Sequence, residues 1–350
     1  MMKQFPLVKQ HTFTFLFPLA LLLVLFSSTV KKGISAGLTL CAEALIPSLF
    51  PFLCLCFTLL PFAGRRKSLA AALFSRLFHL PRESAAVFFL AMLGGYPTGI
   101  LMTEAFLKEQ RLSAAEAKRM SLFCCSAGPA FSVIAVGEGI CGSKETGLML
   151  FAANVLAQLL IGLFLSAFAR KEAKSKGNSL YKNTPDFSEA LTAGVEKGVR
   201  ATLLICAYVL LFSAVLELLR LLPLPQEAAQ GIAAVLEVTN GCLGLRKEPA
   251  LLAAVLGFGG LSVFFQLKGA LQQIGTPAWQ FLLSRAASAG LSAGICRLLL
   301  FCFPQAIPTL AQGTSVRALS FSAPLSALLL LSFALLVMDN KKLEFDKVKF

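Results

Sequence analysis

Apolar runs follow one another along nearly the whole chain, separated by short clusters of Lys and Arg. A helix needs about 20 residues to cross a bilayer. Residues 13–30, 46–62, 146–169, 201–222, 279–303 and 321–338 are apolar over roughly that length and read as spans. The stretches before two of them, 33–45 and 187–199, mix polar and apolar positions at helical spacing, as amphipathic helices do. Residues 68–80 have the same character and read as an interfacial helix.

Other apolar runs carry helix breakers in the middle. Between the short arms 85–93 and 100–107 lies Gly94-Gly95-Tyr96-Pro97-Thr98-Gly99. Glycine weakens a helix and proline has no N–H for its ladder, so the pattern predicts a re-entrant hairpin over 84–107. Glu237-Val238-Thr239-Asn240-Gly241 interrupts 226–245 in the same way. Two longer runs hold a further break each: Ser126-Ala127-Gly128-Pro129-Ala130-Phe131 within 121–140, and Gly257-Phe258-Gly259-Gly260-Leu261-Ser262 within 251–267. Ser113 followed by Glu116 predicts a capping box on a short basic helix.

The order span, broken hairpin, Gly-interrupted span, clean span occurs twice. It predicts an all-α, polytopic membrane protein of about eight transmembrane helices plus two re-entrant broken hairpins in an inverted internal repeat. The parts are an N-terminal helix at 1–32, a first repeat at 33–169, a basic linker at 170–187, a second repeat at 188–303, a C-terminal helix at 304–338 and a charged tail at 339–350. Arg65-Arg66-Lys67 and the Lys/Arg run of 170–183 mark the cytoplasmic side. Both termini are then cytoplasmic, while Lys144, Arg246 and Lys247 fall outside, against the positive-inside rule. Lys3 and Lys9 before 13–26 have the look of a secretion signal. No A-x-A site follows, so the helix is expected to stay uncleaved.

Composition agrees. Of 350 residues, 57% are hydrophobic and 14% charged, and the mean hydropathy is +0.76. Soluble domains are about 25% charged. The net charge of +14 is scattered between apolar runs, so it speaks for lipid head groups rather than nucleic acid. Ten cysteines lie mostly in apolar segments without C-x-x-C spacing and read as small buried residues. With only His11 and His79, a His/Cys metal site is not expected, and no cofactor is implied.

Glu237 carries the sharpest chemistry. A carboxylate at a helix centre in lipid costs about 2.5–3.5 kcal/mol, so it must face a cavity, pair, titrate, or lie on an exposed loop. With Thr239 and Asn240 it is suited to hydrogen-bond a solute or to take a coupling Na+ or H+. At the other break, around Gly95, Tyr96, Pro97, Thr98 and Gly99, the loop amides of 94–99 and the start of the helix expected from Ile100 suit a carboxylate; close packing of Gly95 and Gly99 is the structural alternative. Ser126, Gly128, Pro129, Gly260, Ser262 and Gln266 complete the candidate solute site. Gly33-Ile34-Ser35-Ala36-Gly37 and Gly290-Leu291-Ser292-Ala293-Gly294 match G-x-S-x-G, but without a strand before them they read as packing faces, not as an enzyme's nucleophile. Arg285 and Arg297 read most simply as snorkelling cations, with an anionic solute or Glu237 as other partners.

Ile46-Pro47-Ser48-Leu49-Phe50-Pro51-Phe52, Gly95-Tyr96-Pro97-Thr98-Gly99, the Ser126 and Glu237 motifs and Gly259-Gly260-Leu261-Ser262-Val263 with Gln266 stand in an order that resembles the YlbJ/SpoVV-type sporulation integral membrane proteins. These share the nucleoside-recognition, or Gate, domain with nucleoside transporters. The chain departs from that pattern at Cys124-Cys125, where more polar sequence is expected. The resemblance implies a transporter of a small anionic or nucleoside-like solute, dipicolinic acid above all, across the outer forespore membrane. The alternative is a non-transporting scaffold for spore envelope assembly. The expected partners are the solute and the lipid bilayer, with a homo-oligomer left open.

Overall fold

Lipid offers the backbone no hydrogen-bond partners, so an apolar chain must satisfy its own N–H and C=O groups. Helix is the form the described residues take, and no strand occurs among them. The computed structural model describes residues 17–18, 21–62, 68–169 and 186–302. Arg65-Arg66-Lys67, the 170–183 run, the helix expected at 321–338, the charged tail and residues 13–16 of the first expected span lie outside them.

In chain order the helices are α1 (Ser27–Phe62), α2 (Leu69–Phe78), α3 (Ser84–Gly94), α4 (Tyr96–Lys108), α5 (Ala114–Ser121), α6 (Ala130–Ile140), α7 (Lys144–Ala167), α8 (Phe187–Leu219), α9 (Gln226–Leu236), α10 (Val238–Leu243), α11 (Pro249–Phe258), α12 (Gly260–Ile274) and α13 (Ala278–Cys302). Among the described residues, α1, α7, α8, the α11–α12 pair and α13 are long and apolar enough to cross a membrane. The protein is an integral, multi-pass membrane protein. Leu203, Leu283, Leu298 and Phe301 stand exposed on its outer faces, where lipid is the natural solvent.

Two boundaries differ from expectation. Residues 33–45 and 46–62 belong to one 36-residue helix, and residues 187–199 continue without interruption into the next span as the 33-residue α8. A change in polarity does not end a helix; only backbone chemistry does. In α1, Pro47 follows a π-helical turn, Cys41–Leu45, whose wider winding leaves room for the proline ring. At 1.5 Å per residue these helices are about 54 and 50 Å long, well beyond a hydrocarbon layer of about 30 Å. The surplus corresponds to their amphipathic halves.

α1 and α8 pack antiparallel along small residues. A Cβ on Gly33 would lie 2.9 Å from Ala214 Cα, and one on Gly194 would lie 2.7 Å from Thr58 N. The G-x-S-x-G match at 33–37 is therefore a packing face, as expected. Gly290 and Gly294 are not, since a Cβ there would meet nothing within 4 Å. α7 and α13 also run antiparallel. Gln158 Nε2 donates to Ser288 Oγ at 2.7 Å and Ser292 Oγ to Asn154 Oδ1 at 3.2 Å, so both buried amides of α7 find partners on α13. The capping box forms as predicted: Glu116 N donates to Ser113 Oγ at 3.2 Å, and Ser113 N to Glu116 Oε2 at 2.8 Å.

Candidate functional site

The helices break where the sequence places its breakers, and the breaks meet. Gly95 (φ 84°) separates α3 from α4, residues 122–129 separate α5 from α6, Glu237 separates α9 from α10, and Gly259 (φ 84°) separates α11 from α12. Only glycine adopts such a left-handed φ without strain. Pro97 does not cause the first break; it sits in the opening turn of α4, where its missing N–H is no loss.

The breaks touch in pairs. A Cβ on Gly128 would stand 3.0 Å from Gly95 N, and one on Gly260 would stand 3.1 Å from Val238 N. Tyr96 joins the two pairs. Its hydroxyl donates to the Leu256 carbonyl at 2.7 Å, in the last turn of α11, and its ring lies 3.2 Å from where a Cβ of Gly259 would be. That carbonyl is one of those a helix end leaves without an internal partner.

Between the pairs lies a small cavity, about 40 Å³ as space for the centre of a water-sized sphere, enough for about three waters. Gly95, Tyr96, Pro97 and Gly128 line it from the first half of the chain, and Glu237, Thr239, Ser262 and Gln266 from the second. Thr98, Gly99, Ser126, Pro129, Asn240 and Gly260, also singled out in the sequence, stand behind that lining. Gly99 serves close packing, against the side chain of Ala91 and the carbonyl of Cys124. The remaining wall contains residues that sequence reasoning missed: Leu45, Leu49 and Leu53 of α1, and Ile205 and Val209 of α8. Nothing in their local sequence separates them from lipid-facing aliphatics.

The electrostatics follow from the helix starts. α4, α6 and α12 all begin at these breaks, and none has a side-chain cap. Each start carries about half a positive charge. α10 differs, because Glu237 is its cap. The carboxylate is 1% exposed, so the exposed-loop reading fails. Oε2 accepts from Asn240 N at 2.8 Å and Asn240 Nδ2 at 2.9 Å, and Oε1 from Thr239 Oγ1 at 3.0 Å. Asn240 Nδ2 also reaches Ser213 Oγ on α8 at 3.2 Å, tying this break to the long helix pair. Around the breaks the hydroxyls of Thr98, Ser126, Ser132 and Ser262 are buried without a partner among the described residues, and Ser262 is in the cavity wall.

Arg285 corrects another expectation. It does not snorkel: it is 1% exposed, and its guanidinium donates to the carbonyls of Cys125 and Leu122 (2.8 Å for the latter) and to Gln158 Oε1 at 3.1 Å. Arg297 is exposed. Among the described residues, no group of three or more His, Cys, Asp or Glu is placed to hold a metal ion.

The chain is similar to the sporulation integral membrane protein YlbJ of Bacillus subtilis (strain 168), being 24% identical over 310 residues with 76% of each chain covered. This likeness bears out the resemblance to the YlbJ-type sporulation integral membrane proteins. No family model matches the chain, and no solved structure does.

Proposed function

We propose that the protein is a secondary transporter whose solute passes through the cavity between the four breaks. The observation that carries this reading is the convergence of three uncapped helix starts on one small cavity in an apolar protein. Broken helices in a membrane persist where a cavity or a solute receives the freed backbone groups. The positive helix ends and unpartnered hydroxyls favour a small anion, and the YlbJ/SpoVV resemblance narrows it to dipicolinic acid crossing the outer forespore membrane. The cavity is smaller than such a solute, so loading requires the two pairs of breaks to part. A coupling Na+ or H+ would act at Glu237, the carboxylate in the wall.

An inverted pair of Gate-like repeats gives this motion its frame. A long helix, two broken elements and an unbroken helix come in that order twice, and the corresponding elements α1 and α8, and α7 and α13, run antiparallel. The scaffold reading is favoured by two observations: the cavity is small, and both carboxylate oxygens of Glu237 accept hydrogen bonds within its own helix turn.

Uptake of labelled dipicolinate into proteoliposomes, with nucleosides as competitors, separates the two. The expected result is saturable uptake by the wild type and its loss, by about tenfold or more, in Tyr96→Ala and Glu237→Gln, as removal of a bound polar contact implies. Wild-type rates in both variants would rule out this route, and absence of uptake by the wild type would leave the scaffold.

A further inference from the structure

Arg285 lies about two turns into α13 and has no acidic partner among the described residues. A buried charge without a counter-ion is costly and is kept only where neutral groups hold it. Here the neutral groups are main-chain carbonyls of Leu122 and Cys125, freed because α5 has ended, together with the Gln158 amide oxygen. The Nε position has no partner among the described residues. These bonds seat the guanidinium directly behind the extended segment that forms the second break. On the other side of that segment, Cys125 Sγ approaches the carbonyl of Tyr96 at 3.8 Å, and Tyr96 is cavity wall. Cys125 and Tyr96 thus link the cation to the cavity wall, and no carboxylate among the described residues pairs with it.

We propose that Arg285 is the specificity-determining residue of the cavity: its uncancelled positive charge makes the site prefer a small dicarboxylate over an uncharged solute of the same shape. The inference rests on the cavity being a solute site. Glu237 is the acidic group in the wall, and its charge is held by the start of α10, on the opposite pair of breaks. Arg285 therefore governs the side formed by α4 and α6. Arginine suits the place because its planar fork reaches two carbonyls and an amide at once, which a lysine cannot do.

The experiment measures uptake of dipicolinate and of its uncharged diamide by proteoliposomes holding the wild type, Gln158→Glu or Arg285→Lys. Gln158→Glu puts a carboxylate where an oxygen already stands 3.1 Å from the guanidinium, cancelling the charge in place; the Leu122 and Cys125 bonds remain, and Ser288 can turn its hydroxyl to donate. Its preference for the dicarboxylate should fall by about tenfold or more, the scale of one buried charge acting across a few ångströms. Arg285→Lys should keep the preference within about twofold while slowing both solutes, because charge survives and the fork does not. An unchanged preference in Gln158→Glu, or equal slowing of both solutes in both variants, would reduce Arg285 to a structural clamp and overturn the proposal. Those results leave the solute-site reading standing. A wild type that takes up neither solute defeats that reading as well.

Discussion

Gly259 has a left-handed φ of 84° and no room beside the Tyr96 ring, 3.2 Å from where its Cβ would be. Gly259→Ala should therefore cost about 1–2 kcal/mol from the backbone alone, read as a lower melting temperature in detergent. Its role as a breaker is legible in the sequence, as are those of Gly95 and Glu237, because a helix-breaking residue or a carboxylate in an apolar run is an anomaly on any scale of cost. The partners of these residues are not legible. Glu237 turns out to cap its own helix through Asn240. Arg285 had the spacing of a snorkelling side chain, and only the carbonyls of Leu122 and Cys125, some 160 positions earlier in the chain, make its burial tolerable.

At the scale of elements, sequence reasoning succeeded where backbone chemistry decides and failed where only polarity changes. The breaks fall at their predicted places, and the capping box at Ser113 forms with both its bonds. Ser113→Ala should lower stability by about 0.5–2 kcal/mol in the same melting assay without altering uptake, since α5 borders the site only through the segment that follows it. The division of α1 and α8 into amphipathic and apolar parts did not survive, because a change in polarity alone does not stop a helix. At the junction in α1, the π-helical turn before Pro47 lets the helix run on past the proline. How these long helices associate rests on Gly33 and Gly37, which the sequence reads as a packing face, and on Gly194 and Gly198, which it does not single out.

At the scale of the whole molecule, the proposed inverted repeat puts Lys144 and Arg246 on the external side and the far ends of the long helices across the membrane from each other. Lys144→Cys and Arg246→Cys, each made in a background whose native cysteines are replaced, should label with a membrane-impermeant maleimide from outside intact cells. Labelling only after permeabilisation would invert or abolish that topology. The hydrophobic pattern by itself determined that the chain is helical, membrane-embedded and interrupted at four places, because lipid admits few backbone solutions and breakers are local chemistry. Tertiary structure alone decided that the interruptions share one cavity, that Tyr96 reaches Leu256 across the two halves, and that aliphatic residues of α1 and α8 close the wall. Those contacts join residues far apart in the chain through packing of faces that are equally apolar, and a pattern of equal hydrophobicity carries no record of which face meets protein and which meets lipid.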